Sequence, residues 1–317
     1  MLTYDRRTID STGAFLIGEL ERLDQTPHDP LFSTTWGRDI DLREDVGPGD
    51  EYSSFTNSTF ASVGGVNPNG KHWIAKMTNQ IPSQALDISK TTTPLALWAM
   101  ELSYTIPELL SAQQLGRPVD AQKYRGIQIA YDMDVDGVTY LGDTDLGSTG
   151  LANSAAVTPV SGLYGGWTAD VVAGQQVKVM SDVNALLESS YQATGYKFAP
   201  HRLLLPPIQF GLLASTPSSS IATISLLNFI SQNCLSNAVN GKPLQILPQK
   251  FLPTAGVSNT TRMVAYTKNL NMVRLPLVPM QRTQVEPRGL FQVTTLWSRV
   301  GAIELVYPET VAYGDGI

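Results

Sequence analysis

The sequence predicts an α+β fold preceded by an acidic front segment and a long polar hairpin. Three observations predict it. Tyr124, Ile127, Tyr131, Val135 and Val138 recur at three- to four-residue spacing, which places one apolar stripe on a long helix. Residues 51–90 are polar, rich in Ser, Thr and Asn, and bounded by turns. Beyond residue 160, helical patterns alternate with short apolar strands, with no internal repeat and no low-complexity linker.

Residues 1–50 read as an arm. One amphipathic helix is expected from about Gly13 to Leu23, with Phe15, Leu16 and Leu20 on its apolar side. Pro27, Pro30, Gly37 and the run Gly47-Pro48-Gly49-Asp50 punctuate the rest of the segment, and Asp39-Ile40-Asp41-Leu42-Arg43 alternates like a short edge strand. The segment has too few apolar residues to fold alone and gains order by docking.

Tyr52 to Val63 and Lys71 to Thr78 are expected as two strands. The glycines and the Asn-Gly of Gly64–Gly70 supply the turn, because positive φ is cheap there. An isolated two-stranded hairpin is marginal in water, so it needs something to lie on. Thr91 to Tyr104 returns as a strand.

A short helix then starts at Thr105, with Glu108 three residues on and Pro107 in the first turn, a capping-box pattern. Gly116-Arg117-Pro118 ends it. The long helix comes next with Asp120 as its expected cap, and Leu141-Gly142-Asp143 closes it. Ser154 to Gly166 reads as loop, and Gln175 to Tyr191 as a helix with the stripe Val177, Met180, Val183, Leu187 and Tyr191. His201–Pro206 is a short buried strand. Ile208–Ala214 and Ile221–Cys234 read as helices, the second capped by one of Ser218 to Ser220. Leu244–Leu247, Met263–Tyr266, Asn271–Leu277, Phe291–Arg299 and Gly301–Pro308 complete the strands.

A chain of 317 residues buries most of its apolar surface and exceeds one typical domain. No apolar run approaches the roughly 18 residues of a membrane helix, and the polar N-terminus lacks a signal-peptide core. Cys234 is the only cysteine, which excludes an intrachain disulfide and points to folding in a reducing cytoplasm. The sequons at Asn57 and Asn259 are read as chance matches.

The net charge of -6 conceals an asymmetry. Residues 1–50 hold eleven acids and five bases, whereas residues 201–300 hold nine bases and one acid, Glu286. One reading is a solvated surface with scattered charge. The sharper reading sets one subunit's acidic arm on a neighbour's basic half, because complementary charge fixes register and orientation. A basic face also suits phosphate contacts that read no sequence.

Chemistry-bearing motifs are sparse. Asp132-x-Asp134-x-Asp136-Gly137, ending at Asp143, copies much of a calcium loop. It departs from one at Asp143, too short to replace the bidentate Glu, and at Thr139, where an aliphatic residue normally packs. Lying within the expected long helix, these residues are placed on its solvent side or against a neighbour. His28, His72 and His201 have no paired spacing. There is no G-x-S-x-G elbow, no Walker loop and no G-x-G-x-x-G, and Gly162-x-x-Gly165-Gly166 reads as a turn. No carboxylates are paired by spacing for acid–base work. No catalytic residue, metal site or cofactor is assigned.

The succession of short helix, long helix, Tyr140-Leu141-Gly142-Asp143 and Gly150-Leu151-Ala152-Asn153 resembles the major capsid proteins of tailed bacteriophages, the Hong Kong 97-type coat proteins. The flanking polar hairpin and the strands ending at Tyr307-Pro308 extend the resemblance over nearly the whole chain. It implies an N-terminal arm at 1–50 and an extension loop at 51–90 that reaches over an adjacent subunit. It also implies a peripheral domain with a spine helix at 91–160 and 275–317, and an axial domain at 161–274. The implied function is structural: self-association into hexamers and pentamers of an icosahedral shell enclosing double-stranded DNA, assembled in the bacterial cytoplasm. The implied partners are scaffolding, portal and decoration proteins. The alternatives are an encapsulin-type compartment around a cargo enzyme, and a hydrolase with an unrecognised site. Candidate intersubunit residues are Arg38, Asp39, Asp41, Arg43, Lys71, Lys76, Arg274, Arg282 and Arg288. Some members join a loop lysine to an asparagine, a role for which Lys71 and Lys76 are in place but no acceptor is identified. Deletion of residues 1–45 is expected to leave a folded core.

Overall fold

The computed structural model describes residues 30–63, 76, 83–115, 119–219 and 224–317. The chain divides into residues 1–33 and Thr34–Ile317, and every helix and strand named here belongs to the second unit. The helix expected at Gly13–Leu23 lies outside the described residues, as do the turn at Gly64–Gly70 and, apart from Lys76, the strand expected at Lys71–Thr78.

A single helical turn, α1 (Trp36–Asp39), opens this unit and leads into β1 (Asp41–Arg43). The strand β2 (Tyr52–Val63) pairs antiparallel over its whole length with β3. That partner runs unbroken over Ser83–Thr105, well beyond the expected start at Thr91. Its first half pairs β2 and its second half pairs β10 (Phe291–Gly301). Strand β3 thus joins the β2 hairpin to β10 within one five-stranded sheet.

The capping box forms at α2 (Ile106–Leu115): Thr105 Oγ1 accepts from Glu108 N at 3.2 Å. Lys123 holds the Glu108 carboxylate at 2.8 Å. The long helix, α3, spans Val119–Leu141, so Asp120 lies in its first turn and is not the cap. Ile127, Tyr131 and Val135 are buried as the stripe predicts, and Val138 is half-buried, but Tyr124 is exposed. The end of α3 explains the sequence motif. Its last four carbonyls have no donor further along the helix, and each finds one in the closing loop. Gly142 N bonds Val138 O, Leu151 N bonds Thr139 O, Ala152 N bonds Tyr140 O, and Asn153 Nδ2 bonds Leu141 O, at 2.6 to 2.9 Å. Gly142 supplies the left-handed φ of 72°, and a Cβ on Gly150 would meet Tyr140 C at 2.3 Å.

Helix α4 (Trp167–Val172) precedes α5 (Gln176–Ala193). The inner face of α5 is Val179, Asp182, Val183, Leu186, Leu187 and Ser190, and Val177 is exposed. The apolar stripe misplaced this face because two of its members are polar. Asp182 accepts from Tyr164 N, Gly165 N and Trp167 Nε1, and Ser190 Oγ donates to Glu309 O. After α6 (Pro207–Ser215), the helix expected over Ile221–Cys234 is described as α7 (Leu226–Asn233), and a further helix, α8 (Leu235–Asn240), follows it. Ser225 caps α7, and Cys234 is buried at the junction.

The strands β4 (Arg202–Leu205), β5 (Gln245–Pro248), β6 (Arg262–Tyr266) and β12 (Val311–Asp315) form one sheet in the order β12-β6-β4-β5. The final strand thus pairs with β6 at the edge of this sheet. This sheet separates two cores. Leu204, Val264, Tyr266, Val311 and Tyr313 face one, with Tyr131, Val135 and Tyr140 of the spine. Leu203, Leu205, Met263, Ala265 and Ala312 face the other, with Trp167, Val183 and Leu186. Burial on both faces is why these strands read as continuous apolar runs. A second sheet orders β1-β7-β11, with β7 (Val273–Pro276) and β11 (Glu304–Leu305). In the third, β8 (Gln281–Arg282) and β9 (Glu286–Arg288) both pair β10.

Candidate assembly surfaces

Arg38 and Asp39, from the acidic front segment, meet the basic half of their own chain. Asp39 is fully buried. Arg38 donates to it from Nε at 2.7 Å and from its second terminal nitrogen at 2.9 Å, and Tyr140 donates its hydroxyl at 2.6 Å. Arg202 lies 3.5 Å from the same carboxylate. Arg202 and Lys268 also donate to Arg38 O, and Tyr266 donates to Asp39 O at 2.8 Å. The hydrogen bond to Asp39 raises the Arg38 pKa. Burial, reinforced by the Asp39 charge, pushes the Tyr140 and Tyr266 hydroxyls well above their ordinary range. One carboxylate thus ties the arm segment to the spine and to the four-stranded sheet.

A second buried carboxylate works alongside it. Asp136 Oδ1 accepts from Thr35 N at 3.1 Å and Trp36 N at 3.0 Å, capping α1 from the spine, and Lys250 lies 2.9 Å from Oδ2. Asp136 was expected on the solvent side of the spine or against a neighbour, but it is inside the fold. Asp132, Asp134 and Asp136 are all on helical backbone, where alternate residues diverge. Asp134 accepts from Trp98 Nε1 at 2.8 Å. The calcium-like run is a piece of spine with separate structural duties.

The third cluster sits at the hairpin base. Glu304 is buried and pairs with Arg274 at 2.7 Å and Arg43 at 3.4 Å, and it accepts from Ser53 Oγ. Arg43 also donates to Ser54 O and pairs with Asp45 at 2.6 Å. The hydrogen bond to Arg43 holds the Asp45 carboxyl below its ordinary range. One side-chain knot joins β1, β2, β7 and β11.

Six of the nine candidate intersubunit residues therefore have partners within the chain: Arg38, Asp39, Asp41 (3.2 Å from Lys268), Arg43, Arg274 and Arg288. Asp39 is closed to any neighbour by its burial. Arg288 pairs loosely with Glu101 at 3.5 Å and Glu286 at 3.7 Å and is exposed, as are Arg282 and Lys76. Lys71 lies outside the described residues. Glu304 and Asp136 were missed. The charge asymmetry signalled pairing, but nothing in it told an intrachain partner from a neighbour's.

The outward surfaces carry apolar side chains. Tyr52, Leu86, Ile88 and Leu97 on the β2–β3 hairpin are 57 to 64% exposed, and Val172 and Val177 flank the α4–α5 turn at 84% and 81%. Exposed apolar area of this kind marks interaction surfaces when it is contiguous. Among the described residues no helix is long and apolar enough to cross a membrane, and no group of three or more ligating side chains could hold a metal.

A family model described as major capsid protein matches residues 70–317. No curated protein matches the chain. Among solved structures, the capsid of Myoviridae phage XM1 is 15% identical with a TM-score of 0.75, over 96% of this chain and 100% of that one. The capsid of a native GTA particle is 11% identical with a TM-score of 0.62, over 99% of each chain. The Mycobacterium phage Adephagia structure is 11% identical with a TM-score of 0.55, over 99% of this chain and 98% of that one. At these identities the structures show the fold, and the matching family is one of structural shell proteins, not enzymes. The chain belongs to the major capsid protein family of tailed bacteriophages and has the Hong Kong 97-type fold.

Proposed function

We propose that copies of this chain associate as hexamers and pentamers and close an icosahedral shell around double-stranded DNA, assembled in the host bacterial cytoplasm. The observation that carries the reading is the β2–β3 hairpin. It runs for twelve paired residues with exposed Leu86 and Ile88, while its base is fixed by the Glu304 knot. A rigid, apolar-bearing projection suits a tether to a sister subunit. Several such tethers per subunit multiply modest contacts, and obligate interfaces bury upward of about 2,000 Å². In this reading residues 51–90 are the extension loop, 91–160 and 275–317 the peripheral domain, and 161–274 the axial domain, whose sheet β12 completes. The exposed Lys76, Arg282 and Arg288 serve contacts between subunits. Lys71 and Lys76 stand within the loop where a covalent join to an asparagine would start, a step that lacks an identified acceptor. Scaffolding, portal and decoration proteins are the expected partners, and DNA is met through phosphates without sequence reading.

The test is electron microscopy of particles purified from cells expressing the chain with its scaffolding and packaging partners, followed by nuclease treatment. Closed shells protecting duplex DNA support the reading. Shells that hold an enzyme and no DNA point to the compartment alternative, and a persistent monomer sinks both.

A further inference from the structure

Thr35, Asp136 and Gln249 meet where the front segment touches the spine, just past the end of β5. Thr35 Oγ1 donates to Asp136 Oδ1 at 3.2 Å. Gln249 Nε2 lies 2.8 Å from the same Oγ1. Gln249 Oε1 accepts from Lys250 N at 2.7 Å, and Lys250 Nζ stands 2.9 Å from Asp136 Oδ2. Asp136 is fully buried and Gln249 is 1% exposed. The Gln249 backbone is fixed too, its N–H bonding Leu205 O at 2.8 Å.

Each member of this group has a role open to it in acyl transfer. A hydroxyl beside a carboxylate is a nucleophile with its base in place. A carboxamide whose oxygen faces a fixed N–H has its oxyanion site in place. The carboxamide carbon is one bond beyond Nε2, so Oγ1 stands within about 4.1 Å of Gln249 Cδ. Pivoting the amide about its Oε1 bond brings Cδ before the Oγ1 lone pair. Fixing both groups in one site replaces an encounter in solution by an intramolecular step. Burial of Gln249 keeps water, the competing nucleophile, away from Cδ.

We propose that Thr35 and Gln249 join through an intrachain ester, formed by the folded chain itself. Asp136 accepts the hydroxyl proton as Oγ1 adds to Cδ, and negative charge gathers on Oε1 against the Lys250 N–H. Collapse of that adduct breaks the Cδ–Nε2 bond. Asp136 returns the proton to Nε2, which leaves as ammonia. One C–O bond forms, one C–N bond breaks, and nothing is oxidised or reduced. Lys250 Nζ is a positioning group that favours the ionised form of Asp136. The link joins residues 214 apart in sequence and fastens α1 covalently to the end of β5. The reaction lies within one chain and stands or falls independently of the shell reading.

Intact mass of the denatured chain, from unassembled protein and from particles, reads the step. The expected wild-type mass is short by one molecule of ammonia, and Thr35→Ser keeps that deficit. Thr35→Val, close in shape but without the nucleophile, shows the full mass. Limited proteolysis between the two residues leaves wild-type fragments joined on a reducing denaturing gel. Neutral hydroxylamine, which cleaves esters, parts them. Asp136→Asn slows linking roughly a hundredfold, the scale of general-base assistance, read as linked fraction against time after synthesis. Full wild-type mass after prolonged incubation at neutral pH overturns the proposal. So does an ammonia deficit that survives Thr35→Val, or conversion of Gln249 to Glu, which makes water the nucleophile. Unimpaired linking in a folded Asp136→Asn chain overturns the role of Asp136. If that variant fails to fold, the two Thr35 variants still decide.

Discussion

Tyr140 donates its hydroxyl to Asp39 across 2.6 Å, and both side chains are fully buried. The pair joins the last turn of the spine to α1, 101 residues apart in sequence. Removing the hydroxyl while keeping the ring tests what the bond contributes. Tyr140→Phe should lower unfolding stability by about 1.5–3 kcal/mol, the range for hydrogen bonds to charged groups. Asp39→Ala should cost more, roughly 3–5 kcal/mol, because the Arg38 and Arg202 charges lose their counter-ion. Urea midpoints on unassembled protein check the order, and equal effects would remove Asp39 from the centre of the network.

The same hub sets how much of the front segment can be removed. Deleting residues 1–45 takes away Asp39, the core residue Ile40 and strand β1. That truncation should unfold or precipitate. Deletion of residues 1–33 should leave a cooperative melt, since the Thr34–Ile317 unit keeps all three clusters. Circular dichroism melts of the two truncations separate the cases, and a stable fold after deleting 1–45 would show that the docked segment is dispensable.

Glycines in and after the spine should respond in opposite directions. At Gly150 a Cβ would stand 2.3 Å from Tyr140 backbone, so Gly150→Ala should be strongly destabilising. At Gly137, inside the helix, a Cβ meets nothing within 4 Å. Gly137→Ala should stabilise by about 0.5–1 kcal/mol through helix propensity. Thermal denaturation of both variants checks the contrast.

Glu304→Gln leaves Arg43 and Arg274 facing a neutral amide in a buried setting. A loss of roughly 3–5 kcal/mol is expected for an uncompensated buried charge. The effect should appear locally as faster hydrogen exchange over residues 52–57, where Ser53 and Asn57 tie the hairpin base to β11 and the Val306 carbonyl. Unchanged exchange there would separate the knot from the hairpin.

His201 supplies an acid-range signature. Burial lowers its pKa, and Arg202, Lys242 and Lys268 add to the shift. The unfolded chain then binds the proton more tightly than the folded one. The stabilising contribution is present above the unfolded value of about 6.5 and is lost as pH falls from there through the folded value. His201→Gln should flatten the stability profile over that window, and an unchanged slope would place the acid sensitivity elsewhere. At lower pH, Asp315 takes over. Burial alone would raise its pKa, but the Arg262 guanidinium and the Val257 N–H outweigh it and hold it below the ordinary carboxyl value, so this contribution is lost as pH falls through the folded pKa.

Local signals in the sequence set much of this architecture. The capping box at Thr105 and Glu108, the spine stripe through Ile127, Tyr131 and Val135, and strand β2 from Tyr52 to Val63 all depend on neighbours within a few residues. The Gly142 and Gly150-Leu151-Ala152-Asn153 motif was legible as a family pattern because a helix end demands four donors wherever it occurs. What the sequence could not decide was which distant group meets which. Asp39, Asp136 and Glu304 look like surface acids until tertiary packing brings Tyr140, Lys250 and Arg274 to them, over separations of 30 to 114 residues. The inner face of α5 was misread for the same reason, since Asp182 and Ser190 are buried by partners outside the helix. Apolar periodicity reports the average cost of leaving water, so it tracks short-range geometry well. A buried charge is stable only beside a specific counter-charge, and that proximity exists only once the chain has folded.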